Sequence, residues 1–277
     1  MLPDPLLILL GIAVGTFGTL VGAGGGFVLV PLLAILEPAL ATAAITGVSL
    51  AVVAFNAVSG AAAYARDKRV DYRSGIPFAI ATLPGSVLGA ILTQFVSRQV
   101  FDIVFAILLI ALAGLLIRRG ETKPRLQTAE GTPGRWFPQR DFLDRAGTRH
   151  QYRVHLPVGI AVSFVVGFAS SLLGIGGGII HVPFLITFLG FPTHIATATS
   201  HFVLAIMATV GTITHLVAGD LVGLEKQTLL IGVGAVVGAQ LGARLSTRVH
   251  GLVIIRALAL VLAFVGLRLA AQSLFGR

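Results

Sequence analysis

The sequence has no cysteine and very few charged residues. The absence of cysteine among its 277 residues excludes disulfides, thiolate metal ligands and thiol chemistry. Charged residues make up 11% of the chain, whereas 56% is hydrophobic and the mean hydropathy is +0.95. A soluble fold of this length needs many more polar residues to cover its surface. The composition therefore predicts a membrane protein.

The charged residues that are present lie between long apolar runs. The net charge of +9 therefore follows membrane topology and requires no nucleic acid partner. No Asp or Glu stands in the middle of an apolar run, although a cation carrier is expected to place acidic groups there. The runs also lack a Ser–His–Asp set, an H-E-x-x-H motif and paired carboxylates. We therefore expect a protein that is not an enzyme.

Eight apolar segments predict an all-α polytopic membrane protein. Six have the length of a single span, whereas the first and fifth are longer and each contains three consecutive glycines. We expect each long segment to form two helices joined by a break at the glycine triplet, which gives eight to ten membrane helices. The first segment lacks the basic start and cleavage site of a signal peptide, so we interpret it as a membrane segment. The segments are Leu6–Leu36, Thr42–Ala65, Gly75–Val96, Val100–Ile117, Leu156–Leu189, His194–Val217, Thr228–Leu245 and Leu252–Leu274.

The two halves of the sequence resemble each other. Residues 20–33, LVGAGGGFVLVPLL, match residues 172–185, LLGIGGGIIHVPFL, at a constant offset of 152. GSVLGA at residues 85–90 likewise matches GAQLGA at residues 238–243, and both have the Gly-xxx-Gly spacing that lets helices approach closely. We predict two homologous four-segment repeats, residues 1–117 and 156–277, joined by a linker at 118–155. Internal duplication is typical of transporters that alternate access by moving one repeat against the other.

Basic residues predict the topology. Residues 66–73 hold four of the 20 Lys and Arg residues, and the linker holds nine. Two crossings separate these regions, so the positive-inside rule places both in the cytoplasm. Parallel and inverted repeats both remain open, and a small charge bias in the later loops favours inversion. We expect the linker to contact anionic lipids or a regulatory partner, and to form a short interfacial helix around Trp136–Phe142.

The glycine triplets predict a substrate site. Dinucleotide and P-loop interpretations fail, because no strand precedes the glycines and no G-K-[ST] follows them; no cofactor is therefore expected. Close helix packing is one alternative, although a single small residue per turn would satisfy it. A break inside the membrane instead frees backbone N–H groups at the start of the next helix, where an anion can bind. The glycines assigned to this site are Gly24, Gly25, Gly26, Gly176, Gly177 and Gly178.

Polar side chains in the apolar segments extend this site. We expect Ser49, Asn56, Ser200 and His201 to complete the hydrogen bonding to the substrate. His181 and His201 are candidates for proton coupling, since histidine titrates near neutral pH; packed structural histidines are the alternative. No carboxylate accompanies them, so no metal site is expected.

The sequence contains two G-x-G-G-G-x-x-x-x-P elements, ATATS at residues 196–200 and the paired G-x-x-L-G-A motif. In these motifs it resembles the TauE/SafE family of sulfite exporters. The resemblance covers nearly the whole chain except the linker. It implies a bacterial inner-membrane transporter that exports a sulfur-containing anion such as sulfite, sulfoacetate or a related organosulfonate. Three alternatives stay open: a membrane-embedded enzyme of sulfur metabolism, a partner of one, and a His-dependent cation or metal transporter. The sequence also leaves open whether the chain forms a homodimer.

Overall fold

The computed structural model describes residues 3–37, 39–119, 136–246 and 248–275, and confirms the all-α membrane class. Seven helices within these ranges are long and apolar enough to cross a membrane. Large apolar side chains such as Ile80, Val217 and Leu260 are exposed on their outer faces, as expected for surfaces that contact lipid. The helices are α1 (Asp4–Val21), α2 (Gly26–Leu36), α3 (Thr42–Arg66), α4 (Tyr72–Thr93), α5 (Arg98–Arg119), α6 (Leu156–Leu173), α7 (Gly178–Thr187), α8 (Thr193–Val217), α9 (Glu225–Ser246) and α10 (Gly251–Phe275), and the strands are β1 (Gln139–Leu143) and β2 (Arg149–Arg153).

Both long apolar segments are broken at their glycine triplets, as predicted. The breaks lie between α1 and α2 and between α6 and α7. Gly22, which follows α1, has a φ of 76°, and Gly174, which follows α6, has a φ of 68°. This left-handed backbone ends a helix and is favourable only for glycine. α2 and α7 contain Pro31 and Pro183 and are, at 11 and 10 residues, too short to span a bilayer alone.

Glycine faces bring α1 into direct backbone contact with α9. A methyl group placed at Gly238 would collide with the carbonyl oxygen of Ile12, and one at Gly242 would collide with that of Thr16. The contacts advance along both helices together, so α1 and α9 run parallel. The Gly-xxx-Gly spacing of α9 thus packs the last part of the chain against the first.

The equivalent motif in α4 makes the same kind of contact with α6. Gly85 lies against the backbone of Phe164, and Gly89 lies against that of Phe168. α4 and α6 are therefore also parallel. Each half of the chain contributes one helix to each of these two pairs.

The central helices α3 and α8 run antiparallel. Gly47 near the start of α3 contacts His215 near the end of α8, whereas Gly60 contacts His201 near the start of α8. α4 runs parallel to α8, because Gly75 contacts Phe202 and Ser86 bonds to Met207 further along both helices.

α3 also runs parallel to α9. Phe55 contacts Gly232, and Ser59 bonds to Gln240 two turns further along α9. α1, α3 and α9 therefore point one way, and α4, α6 and α8 point the other way. Since α1 and α3 start at the same end of the bundle, α2 brings the chain back towards that end.

The linker contains a β-hairpin. The prediction of a short interfacial helix around Trp136–Phe142 is therefore wrong. β1 pairs antiparallel with β2, with Arg140 opposite Tyr152. The hairpin forms because Gly147 supplies the left-handed residue of its turn, at a φ of 83°, and because Asp141 pairs across the strands with Arg149 at 2.6 Å. Residues 120–135 of the linker, which include Lys123, Arg125 and Arg135, lie outside the described residues.

The hairpin docks on the end of the bundle where α3 ends and α4 and α8 begin. Asp71, which caps α4, accepts hydrogen bonds from Ser74 and from the Tyr152 hydroxyl at 2.9 Å. Arg140 forms an ion pair with Asp71 at 3.3 Å, and both side chains are at least 90% buried. Burial, followed by the nearby Asp71 carboxylate, raises the pKa of Tyr152, so Tyr152 stays a donor. We call this end of the bundle the hairpin side and the other end the far side.

Candidate functional site

The two glycine breaks pack against each other between the hairpin side and the far side. A methyl group at Gly26 would lie 2.5 Å from the carbonyl oxygen of Gly174. A methyl group at Gly178 would collide with the carbonyl oxygen of Gly22. The start of each break thus meets the end of the other, a two-fold symmetric pairing. We call residues 22–26 and 174–178 the glycine crossing.

The crossing rests on the middle of α3. Methyl groups at Gly24 and Gly176 would each lie 2.9 Å from Val53, and both glycines have left-handed backbone, with φ of 76° and 68°. The residues of the crossing are buried. Close backbone packing is therefore one role of the glycine triplets in this structure.

The crossing also holds backbone donors without partners. Within the described residues, the N–H groups of Gly26 and Phe27 at the start of α2 donate to no protein acceptor. The N–H groups of Gly178 and Ile179 at the start of α7 likewise donate to no acceptor among the described residues. The first N–H groups of any helix lack intrahelical acceptors and carry a partial positive charge. Here two such ends lie side by side inside the protein.

A cluster of polar side chains lies on the hairpin side of the crossing and includes two of the predicted residues. Thr19 donates to the Asn56 side-chain oxygen at 3.0 Å, and its hydroxyl is 3.3 Å from Nε2 of His201. Asn56 donates to the carbonyl of Gly15 at 2.9 Å. The Tyr64 hydroxyl donates to the Thr19 carbonyl at 2.7 Å, and its ring packs edge-on against His201. Thr19, Asn56, Tyr64 and His201 form the hairpin-side cluster.

Ser49 and Ser200 hold the two breaks in place from opposite sides. The Ser49 hydroxyl donates to the carbonyl of Gly174 at 2.6 Å, and the Ser200 hydroxyl donates to the carbonyl of Gly22 at 3.5 Å. Each serine therefore binds the carbonyl at the end of a helix contributed by the other half. The predicted site residues thus surround the crossing, and both serines already have protein acceptors.

The two candidate proton-coupling histidines belong to different surroundings. His181 has its Nε2 3.3 Å from the hydroxyl of Ser163, and its ring packs edge-on against Phe78. His201 is fully buried and contacts Thr19 instead. Within the described part of the chain these contacts share no neighbour, so the histidines do not form a pair.

A second polar cluster, absent from the sequence prediction, lies on the far side of the crossing. The Ser86 and Ser171 hydroxyls are 2.7 Å apart, and Ser86 also donates to the Met207 carbonyl at 3.0 Å. His215 is fully buried, with Nδ1 2.7 Å from a carboxylate oxygen of Asp220. The predicted repeat is the sequence signal for this cluster, because the offset of 152 relates Ser171 to Thr19. The far-side cluster is composed of Thr46, Ser86, Ser170, Ser171 and His215.

The chain is similar to known membrane transporters along almost its whole length. The family model described as sulfite exporter TauE/SafE matches residues 7–269. The Probable membrane transporter protein YunE of Bacillus subtilis is 33% identical over 98% of both chains. A Probable membrane transporter protein of Xylella fastidiosa is 31% identical over 87% of this chain and 82% of its own length.

A third relative, from Methanocaldococcus jannaschii, also carries the name probable membrane transporter protein, and is 28% identical over 77% of this chain and 73% of its own. No solved structure matches. All three relatives are thus named as probable membrane transporter proteins. The chain belongs to the TauE/SafE sulfite exporter family of membrane transporters.

Proposed function

We propose that this protein is a secondary transporter that exports a small sulfur-containing anion, such as sulfite, sulfoacetate or a related organosulfonate, through the glycine crossing. The observation that carries this proposal is the pair of helix starts inside the protein, whose N–H groups at Gly26, Phe27, Gly178 and Ile179 have no acceptor among the described residues. Such groups bind oxyanions well, because the helix dipole adds a partial positive charge. The glycine at the first position of each helix adds no side chain beside these groups; in this structure its open side faces a carbonyl oxygen of the other break, so binding requires the two breaks to separate.

The repeats are inverted in this proposal, and the crossing moves between two access states. Equivalent helices α3 and α8 run antiparallel, and the parallel pairs α1 with α9 and α4 with α6 link helices from opposite halves. An inverted pair can exchange conformations, so that the hairpin side and the far side open in turn. The buried clusters on both sides of the crossing support such a two-sided path.

The transporter lies in the bacterial inner membrane in this proposal, with the hairpin and the basic loop at residues 66–73 in the cytoplasm. Export of an anion from a negative interior is favoured by about 2.3 kcal/mol per charge per 100 mV. A uniporter would therefore suffice, and coupling to protons through His181 or His201 would serve regulation or direction.

The proposal is tested by counterflow of radiolabelled sulfite, sulfoacetate and taurine in proteoliposomes of the purified protein. We expect flux of at least one of these sulfur compounds above that of empty vesicles. Replacing Gly25 or Gly177 by Val should abolish this flux while leaving the protein inserted. Absence of flux in the parent protein refutes the proposed function, and full activity in both variants refutes the backbone site.

Asn56 provides a side-chain test of the same site. Asn56→Ala removes the amide that joins Thr19 to the α1 and α9 backbones and should reduce flux about fivefold or more, since a lost buried hydrogen bond costs about 1–3 kcal/mol. Thr209→Ala is the matched control, because its exposed hydroxyl bonds only its own helix. Equal flux in the two variants would exclude Asn56 from the transport path.

The pH dependence of flux tests the proposed proton coupling. If His201 carries the coupled proton, the His201→Ala variant should lose the pH dependence that the parent shows. A variant whose flux matches the parent at every pH would remove His201 from this role, and the same comparison with His181→Ala tests the other histidine.

A further inference from the structure

Among the residues that the structure describes, three buried polar atoms of the far-side cluster have no hydrogen-bond partner. They are the hydroxyl oxygens of Thr46 and Ser170 and Nε2 of His215, and all three residues are fully buried. An unpaired buried polar group costs about 1–3 kcal/mol. Three such groups in one region are explained if they find a partner in another state of the protein.

Contacts across four helices bring these groups together. Gly47, which follows Thr46 in α3, packs against the ring of His215. Gly211 lies one turn before His215 in α8. A methyl group placed on Gly211 would be 3.0 Å from the Ser171 hydroxyl oxygen and 3.1 Å from that of Ser86. The cluster therefore draws on α3, α4, α6 and α8, and three of these helices, α3, α6 and α8, also contact the crossing.

Ser170 connects the cluster to the crossing itself. A methyl group at Gly177, the residue before α7, would lie 3.1 Å from the Ser170 hydroxyl oxygen. This hydroxyl is therefore next to the start of α7, where the N–H groups of Gly178 and Ile179 are free. Ser170, like Thr46 beside Gly174, therefore joins the far-side cluster to the crossing.

Asp220 orients the imidazole of His215 towards the cluster. Nδ1 is bound to the Asp220 carboxylate at 2.7 Å, and Asp220 is 13% exposed at the far-side end of α8. A carboxylate bound to one ring nitrogen fixes which way the other nitrogen points. When the ring is an imidazolium, Nδ1 donates to Asp220 and Nε2 is left to donate into the cluster.

We propose that the far-side cluster is a second anion subsite, in which the hydroxyls of Ser86, Ser170 and Ser171 and the Nε2–H of His215 bind the sulfonate or sulfite group. The subsite rests on the proposed function, because its ligand is the transported anion. Its donors are side chains, whereas those of the crossing are backbone N–H groups. The anion would occupy it between the crossing and the far-side exit.

The absence of cysteine from the chain makes thiol labelling a direct test. Ser171→Cys and, as a second reporter, Ser86→Cys are reconstituted and treated on both sides of the membrane with an anionic methanethiosulfonate reagent. We expect both variants to react. Sulfoacetate at about ten times its dissociation constant should slow the reaction about tenfold, because it occupies the site. Val222→Cys is the matched control, since Val222 is 78% exposed in the far-side loop and should react equally with or without sulfoacetate.

A second measurement assigns the role of His215. In the Ser171→Cys background, His215→Ala should raise the sulfoacetate concentration for half-protection about tenfold or more, because a hydrogen bond from a charged donor is lost. His155→Ala, on the hairpin side, should leave that concentration unchanged. Unchanged half-protection in both variants would remove His215 from the subsite.

The outcomes separate this inference from the proposed function. Sulfoacetate flux by the parent protein is measured in the same vesicles. Two results would overturn the second subsite and leave the proposed function standing. One is flux by the parent protein with no protection of either serine variant by sulfoacetate. The other is flux with no labelling of either serine variant while Val222→Cys reacts. Absence of flux for every sulfur compound overturns both.

Discussion

Gly26→Ala tests whether the two helix breaks are in direct contact. The added methyl group would lie 2.5 Å from the carbonyl oxygen of Gly174 and 2.8 Å from the carbonyl of Ile175. Ordinary contacts begin at 3.4 Å, so the two backbones must separate by about 0.9 Å. Backbone on both sides of the contact cannot turn away as a flexible side chain can. We therefore expect the free energy of unfolding to fall by about 1–3 kcal/mol, the usual cost of overpacking.

The measurement is unfolding by sodium dodecyl sulfate from mild detergent micelles, followed by the fluorescence of the single tryptophan. Trp136 reports on tertiary structure, because its carbonyl accepts a hydrogen bond from Leu156 at the start of α6. Gly114→Ala is the control, since a methyl group at this helical position meets nothing within 4 Å. It should be neutral or stabilising by up to about 1 kcal/mol. Equal stability of the two alanine variants would refute the direct contact.

The remaining predictions concern the contacts around the crossing and the hairpin. Ser49→Ala should destabilise the protein by about 1 kcal/mol and Ser200→Ala by less, because their bonds are 2.6 and 3.5 Å long; the reverse order in the same unfolding assay would contradict this. Arg140→Met leaves the Asp71 carboxylate buried without its ion-pair partner, and should lower stability by about 3–5 kcal/mol and speed tryptic cleavage of the linker. Arg73→Met, which alters an exposed arginine, is the control, and equal cleavage of both variants would show that the hairpin is not held by this pair.

The helices and their breaks could be predicted from the sequence because both depend on local chemistry. About twenty consecutive apolar residues suffice to indicate a membrane helix, and three glycines with a following proline suffice to indicate a break. The Gly-xxx-Gly motif at Gly85 and Gly89 correctly indicated close helix packing. Spacing alone could not identify α6 as its partner, because that choice depends on how the complete bundle assembles.

The hairpin could not be predicted in the same way. Its aromatic and basic residues are equally typical of an interfacial helix, and its β pairing depends on contacts six to fourteen residues apart, such as Arg140 with Tyr152. In the structure Gln139 is exposed, Arg140 is buried and Asp141 is exposed, which is the alternation typical of a strand. It was obscured because the inward-facing residue is an arginine, whose partner Asp71 belongs to another part of the chain.

Hydroxyl side chains were the weakest part of the site prediction. Thr209, Thr212 and Thr214 bond the carbonyl four residues earlier in their own helix, which is the common behaviour of threonine in membrane helices. Thr19 and Ser171 look the same in sequence but reach other helices. The structure separates these two kinds, and the repeat offset that relates Thr19 to Ser171 is the one sequence feature that does so.

The pairing of α1 with α9 has a consequence for how the protein is made. Gly11 and Gly15 in α1 meet the backbone of Ile231 and Ala235, residues that are synthesised more than two hundred positions later. Chains emerge from the ribosome N-terminus first, so α1 enters the membrane with its glycine face uncovered. The glycine face of α1 therefore stays without its partner helix until α9 has been synthesised. Release of the nascent chain before α9 would leave an inserted but unassembled protein, a natural point for quality control to act.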